Sequence, residues 1–268
     1  MFLKNRNYKK IIFNRSKYRD SKNNPKISVV TVVKNGQGHL DLAIKSVINQ
    51  TYKNIEYIIV DGYSSDNTHS IIEKYKSKIN IYLKSKDKNM WDAMNKGINV
   101  SSGSILVFLN SDDVFTKKAL SYAAKYFIEN KKIDFLFGTV KKHWIKYGYR
   151  EWKSYFSFGF YTTHSIGFFA KKKLYLENGG YDAKFLSADL DFFLRIIFKK
   201  KFIGTSSKKN ELFGYFKTGG FSSKISYRNH LYDLNKIRIN NNQSKILVYI
   251  IFFIKIFKKP IKFLFNRH

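Results

Sequence analysis

Cysteine is absent from this 268-residue chain. That excludes a disulfide scaffold, Cys-ligated zinc and thiol catalysis. His, Asp and Glu remain as strong metal ligands, so a hard, oxygen-bound cation is the default metal. Acidic residues are scarce, with 19 Asp and Glu against 50 Lys and Arg and a formal net charge of +31. Such a field favours a polyanion: nucleic acid, anionic lipid or a phosphate-rich substrate. An AT-rich coding bias, which also enriches Asn, Ile, Phe and Tyr, accounts for the same surplus, so both readings stand. No apolar run reaches the ~18–20 residues that span a bilayer. The first 26 residues, polar and basic (KNRNYKK, NRSKYRD), lack the apolar core of a secretory signal. A soluble or peripheral protein on the cytosolic side is expected. Repeats at solenoid periods, zinc-finger spacings and RNP-type aromatic strings are also missing.

What is present is ample for a packed core: 44% hydrophobic residues and 18% aromatic, which excludes wholesale disorder. After a basic arm over residues 1–24, Ile27 to Val33 (ISVVTVV) is β-branched and apolar almost throughout. That is the pattern of a strand covered on both faces. Leu40, Ala43, Ile44, Val47 and Ile48 then mark one face of a helix. Further strands are predicted at Ile55–Val60, Ile79–Leu83, Ile105–Leu109 and Ile133–Phe137. Helices are predicted around Ile71–Tyr75, Trp91–Asn99 and Lys117–Glu129. The alternation implies an α/β fold with a mostly parallel, doubly wound sheet. Residues 140–220 break the rhythm, with one clear helix near Ala188–Lys200, and read as a second half of the same domain.

The chain's end is distinct. Ile246 to Ile254 (ILVYIIFFI) is continuously apolar, and Lys255, Lys258, Lys259 and Lys262 then recur at i, i+3, i+4 and i+7. A helix from Ile246 to Lys259 is ~21 Å long, short of the ~30 Å hydrocarbon slab, and Pro260 interrupts the run. Two readings fit. One is a basic amphipathic anchor lying in the plane of a membrane. The other is a terminal helix packed on the core with its lysines outward.

Ligands of open parallel sheets collect beyond the carboxyl ends of the strands. Here those ends carry Asp61 and the pair Asp112-Asp113, and such carboxylates suit a divalent cation. Each also has a plain reading, since Asp-Gly is a favoured turn pair and Asp a common N-cap. Asp87, Asn89, Asp92 and Asn95 form a polar cluster that reads equally as a solvated loop. In SADLDFFLR, Asp189 and Asp191 cap a helix or place a carboxylate in the site, and Arg195 is one turn from Asp191. A general base must be a carboxylate or His near the reacting hydroxyl. Asp189 is the first candidate and His164 the second.

These residues carry a resemblance. The string KISVVTVVKNGQGHLDLAIKSVINQTYKNIEYIIVDGYSSDNT resembles the opening of family 2 glycosyltransferases. Those are inverting, nucleotide-sugar-dependent enzymes of the GT-A (Rossmann-like) fold. DKNMWDAMNKG, FLNSDD, HSIGFF, GGYD and SADLDFFLR resemble successive motifs of the same family, and together they cover residues 27 to about 222. The resemblance implies that Asp61 holds the base or ribose, with Asp92 and Asn95 lining the same pocket. It implies that Asp112 contacts the ribose side, that Asp113 binds Mg or Mn, and that Asp189 is the catalytic base. It puts His164 near the acceptor, with Asp191 and Arg195 on the acceptor side. Departures are Asn89 where Gly is common, Asn110 in place of the first metal-motif carboxylate, and Ala188 beside the base. The Q-x-x-R-W segment of processive members is missing, which implies addition of one sugar.

The expected organisation is therefore a basic arm (1–24), a GT-A domain (25–222) and a helical, membrane-associating tail (223–268). The domain divides into a nucleotide-sugar half (25–115) and an acceptor half (116–222). The expected activity transfers one sugar, most simply from a UDP-sugar, to a hydroxyl of a lipid-linked glycan acceptor in bacterial lipopolysaccharide, capsule or polysaccharide assembly. It would act at the inner face of the cytoplasmic membrane, an anionic surface, with nucleic acid not expected as a partner. The alternative is a basic nucleic-acid-binding or membrane scaffold protein with a degenerate site. Carboxylates at the strand ends tell against nucleic acid, because they repel phosphate unless a metal intervenes.

Overall fold

The computed structural model describes residues 8–14, 19–156, 160–163, 165–199, 201–217 and 226–265, with side chains described as far as Phe257. In chain order, the first half holds β1 (Tyr8–Ile12), β2 (Ile27–Val33), α1 (Leu40–Ile48), β3 (Ile55–Asp61), α2 (Thr68–Lys74), β4 (Ile81–Ser85), α3 (Met90–Val100), β5 (Ile105–Phe108), β6 (Val114–Phe115) and α4 (Ala119–Glu129). The second half holds β7 (Phe135–Phe137), β8 (Thr139–Lys141), β9 (Ile145–Lys146), α5 (Lys153–Phe156), β10 (Phe168–Lys171), α6 (Lys172–Asn178), α7 (Ala188–Phe198), β11 (Gly204–Ser206), β12 (Leu212–Tyr215), α8 (Tyr227–Asn240) and α9 (Lys245–Phe265).

An eight-stranded sheet has the order β1-β4-β3-β2-β5-β10-β7-β11. β4, β3, β2 and β5 run parallel. β10 lies antiparallel between β5 and β7, and β11 returns parallel to β7. All seven residues of β2 are buried. Successive side chains serve opposite faces, as the strand's period of two requires. Val30 and Val32 belong to one core cluster with Trp91 and Met94 of α3 and Leu190 and Phe193 of α7. Val29 and Val33 pack with Leu40 and Ile44 of α1 and Leu120 of α4. A smaller sheet, β6-β12-β8-β9, supports the break after β5.

Three expectations change. Residues 8–12 of the supposed arm form β1, which pairs antiparallel with β4 from Tyr8–Ser85 to Ile12–Ile81. The strand covers what would be an exposed edge of the sheet. α8 belongs to the core and not to a tail, since Leu231, Leu234 and Ile237 lie in the main cluster. α9 continues as helix through Pro260 to Phe265. Among the described residues no helix is long and apolar enough to cross a membrane.

Candidate active site

The carboxyl ends of β4, β3, β2 and β5 lie side by side, about 4.8 Å apart, and the loops that follow β2 and β3 are tied together. Asn35 of the β2–α1 loop donates its N–H to Ser64 Oγ at 2.8 Å and accepts from Ser65 N at 2.9 Å. Gly36 N donates to Thr68 Oγ1 at 2.8 Å, and Gln37 N to Asp66 Oδ2 at 3.0 Å. Two non-glycine residues on this edge are held in the left-handed region, Asn35 (φ 54) and Tyr63 (φ 56). For a bulky residue such as Tyr63 that conformation is an outlier of the kind that collects at ligand sites.

Asp61 is fully buried at the end of β3. Its Oδ1 accepts from Ser64 N (2.9 Å) and Ser64 Oγ (2.6 Å), and its Oδ2 from Tyr82 Oη (2.9 Å). The carboxylate therefore fixes the β3–α2 turn from below. Next to it, a side chain at Gly62 would meet Lys34 and, at 3.6 Å, Asp87 Oδ2. Asp87 accepts from Lys96 Nζ (2.7 Å) and Ser85 Oγ (2.8 Å), and burial raises its pKa. Lys96 also lies 3.2 Å from Asp92, whose Oδ2 accepts from Lys88 N at 3.0 Å. This Asp87–Lys96–Asp92 group braces the entrance to α3. Asn89 caps that helix by accepting from Trp91 N and Asp92 N, both at 3.1 Å, and donates to Ala183 O at 2.7 Å. The residue that departs from the family pattern thus serves as N-cap.

Beyond β5, Asp112 and Asp113 differ sharply. Asp113 is 1% exposed. Its Oδ1 accepts from Lys217 N (3.0 Å), and its Oδ2 from Ser165 Oγ and Asn110 Nδ2 (both 3.3 Å). Burial, with Asp112's charge beside it, pushes its pKa up to about 7. Asp112 is half-buried and makes no hydrogen bond or ion pair among the described residues. Asn110 leaves its Oδ1 buried and unpartnered. Among the described residues no three His, Asp or Glu side chains cluster as a ready metal cage.

Asp189, half-buried in the first turn of α7, accepts from Tyr161 Oη at 3.0 Å. Its loop is held by Asp233 of α8, which accepts from Leu186 N (3.1 Å) and Ser187 N (2.8 Å), while Trp91 Nε1 donates to Leu186 O at 3.1 Å. Tyr161 is fully buried, and burial, then Asp189, drives its pKa well above the usual range. It stays a neutral donor to the carboxylate.

A single segment joins the two centres. Tyr161 touches Asp189, and Ser165, four residues on, touches Asp113 and lies 3.4 Å from Asn110 Nδ2. Four residues extend at most ~14 Å, which bounds the distance between the backbone positions from which Tyr161 and Ser165 reach Asp189 and Asp113. His164, expected near the acceptor, is outside the described residues.

Asn95, Asp191 and Arg195 have their polar groups engaged by the protein itself. Asn95 is engaged on both sides by the backbone of Tyr181, accepting from its N at 2.8 Å and donating to its O at 2.7 Å. It braces α3 against residues 180–181. Asp191 is buried, accepts from Arg195 Nε at 2.8 Å and from Asn241 Nδ2 at 2.9 Å, and so faces α8. The Arg195 guanidinium donates to the carbonyls of Asn178, Gly179 and Gly180. Sequence reasoning also passed over Tyr161, Ser165, Lys96 and Lys217. Only the neighbourhood of His164 offered a local signal for the first two.

A model of the family described as "Glycosyl transferase family 2" matches residues 28–198. An uncharacterized glycosyltransferase of Methanocaldococcus jannaschii is 32% identical over 191 residues, 65% of this chain and 65% of that one. A poly(ribitol-phosphate) beta-N-acetylglucosaminyltransferase of Staphylococcus aureus is 36% identical over 118 residues, 42% of this chain and 36% of that one. A UDP-Glc:alpha-D-GlcNAc-diphosphoundecaprenol beta-1,3-glucosyltransferase of Escherichia coli is 32% identical over 114 residues, 42% of this chain and 45% of that one. The matches thus span 65% of the archaeal relative and less than half of the other two. The crystal structure of S. aureus TarS residues 1–349 with UDP-GlcNAc superposes with a TM-score of 0.67 at 18% identity, covering 85% of this chain and 70% of that one. The mannosyltransferase PcManGT of Pyrobaculum calidifontis with GDP-Man and Mn2+ superposes at 0.62 and 13% identity, covering 88% and 72%. At these identities the likeness concerns the fold.

Proposed function

The chain belongs to glycosyl transferase family 2, and from that premise we propose that it transfers a single sugar from a nucleotide-sugar, most simply a UDP-sugar, to a hydroxyl of a lipid-linked glycan acceptor with inversion. The setting would be the assembly of a bacterial surface glycan: lipopolysaccharide, capsule or another polysaccharide. The observation that supports the reading is that Tyr161 hydrogen-bonds Asp189 while Ser165, four positions on in the sequence, hydrogen-bonds Asp113. Relatives named for UDP-Glc and diphosphoundecaprenol substrates, or for poly(ribitol-phosphate), support the substrate classes.

The donor would lie across the strand ends. The Asp61-braced turn and the Asp87–Lys96–Asp92 group would flank its nucleoside, with Tyr63 offering a half-exposed ring. A hard cation, Mg or Mn, fits the donor set: such ions take one or two carboxylates and fill the rest of their shell with water and phosphate oxygens. Asp112 would hold it. Asp113, expected from the resemblance to be the ligand, has both oxygens engaged by protein donors and would position the turn. When bound, the cation supplies positive charge next to the diphosphate. Asp189 would take the acceptor hydroxyl's proton as that oxygen attacks the sugar C1. The bond from C1 to the diphosphate oxygen would break on the opposite side, and one displacement inverts the centre. Tyr161 would keep the carboxylate aimed.

The test is release of nucleoside diphosphate from UDP-, GDP- and dTDP-sugars with Mn, run on the parent chain and on Asp189→Asn. Asn keeps the size and loses the base, so turnover should fall by ~10²–10⁴ while the donor still raises the melting temperature. Near-full turnover in Asp189→Asn would remove Asp189 as base, and the absence of any nucleotide-sugar binding would remove the transferase reading.

A further inference from the structure

α9 shows two unlike faces. Val248 and Ile251 are buried, and Phe252 packs against the main core cluster. These residues seat the helix on α8, and Tyr227 Oη reaches across to Lys255 O at 2.9 Å. On the opposite side Ile246 (74% exposed), Tyr249, Ile250, Phe253 and Phe257 (67%) recur at i, i+3, i+4, i+7 and i+11. That spacing is one continuous stripe of an α-helix. Five large apolar side chains lined up in water are not the scattered exposed hydrophobics of an ordinary surface.

We infer that this stripe of α9 docks on an anionic lipid bilayer, with the helix lying in the plane of the headgroups. Charge decides between the possible occupants. Between Asp233 and His268 no further acidic residue occurs, whereas Lys236 and Lys245 are exposed and Lys258, Lys259, Lys262 and Arg267 follow in the sequence. A second copy of this chain, itself at +31, would bring the same charge to the contact and repel. An anionic surface meets both properties at once, the stripe entering the acyl boundary and the surplus of basic charge drawing the chain to phosphate. A span is not the alternative, because no helix among the described residues is long and apolar enough. Trp152, 61% exposed, lies one residue before α5, whose Ser154 carbonyl accepts from Arg238 at 3.3 Å, so an aromatic sits near the base of the same helix pair.

The placement also bears on the acceptor, and in that respect it rests on the transferase reading above. α8, against which α9 packs, holds the Leu186–Ser187 backbone through Asp233. The helix pair that meets the bilayer is thus the one that carries the Asp189 loop, and it would offer that carboxylate to hydroxyls presented from a membrane.

The experiment is flotation of the full chain with phosphatidylcholine vesicles, with and without phosphatidylglycerol, for the parent and the double variant Ile250→Glu/Phe253→Glu. Both positions are exposed, so circular dichroism and the melting temperature should match the parent. The parent should float with the anionic vesicles and lose this at about 0.5 M salt. The double variant should bind at least ~10-fold less, with metal-stimulated UDP-sugar hydrolysis unchanged. Equal flotation of the variant would overturn the inference. So would no flotation of a parent that is a dimer by light scattering and becomes monomeric on substitution. If hydrolysis is absent from the parent while flotation behaves as expected, the transferase reading fails and the docking surface stands.

Discussion

At the scale of single residues, neighbouring carboxylates divide the work by burial. Asp113 is closed in by Lys217, Ser165 and Asn110, while Asp112 beside it makes no hydrogen bond or ion pair among the described residues. Asp112→Asn should abolish the Mn-dependent part of UDP-sugar affinity in calorimetric titrations. Asp113→Asn, whose amide can keep the Lys217 and Ser165 contacts, should retain it; the reverse pattern would return the cation to Asp113. The Asp87–Lys96 pair illustrates a second residue-scale rule. Both side chains are under a tenth exposed and 2.7 Å apart. Removing one partner of a buried pair strands the other charge, which costs about 3–5 kcal/mol. Lys96→Met should show a loss of that order in urea unfolding, and Asp87→Asn/Lys96→Met should recover part of it.

At the scale of elements, the site depends on how closely α3 lies against β2. Gly97 has no side chain where a Cβ would stand 2.4 Å from Val30 Cγ1, and Val30 is fully buried in the middle of the sheet. Neither side can give way cheaply. Gly97→Ala should cost about 1–3 kcal/mol, read as a lower urea midpoint. It should also weaken donor binding, because α3 carries Asp92 and Lys96. An unchanged midpoint would mean that the helix can lift off the sheet. Asn95 and Arg195 belong to this scale too. Their polar groups look like site chemistry, yet they tie α3 and α7 to the backbone of residues 178–181.

At the scale of the whole molecule, charge and burial conflict at the α8–α9 contact. Burial, then the charge of Arg238, lowers the Lys255 pKa to about 7. Unfolded, the group has its ordinary value of 10.5. Between those values the unfolded chain binds more protons, so stability rises with pH across that window. Below about pH 7 both states are charged, and the cost of the buried ammonium is fully present. Lys255→Met should therefore melt higher than the parent below pH 7, with the gap narrowing toward pH 10. A gap that does not change with pH would show that Lys255 does not set it.

The strand–helix alternation of residues 27–137 was legible in the sequence because it rests on local periodicity. A strand buried on both faces needs unbroken β-branched residues, and a helix on a sheet needs an apolar stripe. The chemical character of the strand ends followed, since a parallel sheet gathers them on one edge. Tertiary structure alone decided which polar residues are engaged within the protein. Asp61, Asn95, Asp113, Asp191 and Arg195 read as site chemistry, and each proved to have its polar groups met within the protein, most of them by residues distant in sequence. It decided likewise that residues 8–12 close the sheet and that α9 buries one face while presenting the other. The reason is physical: sequence spacing fixes which face of an element a side chain occupies, and only packing fixes what that face meets.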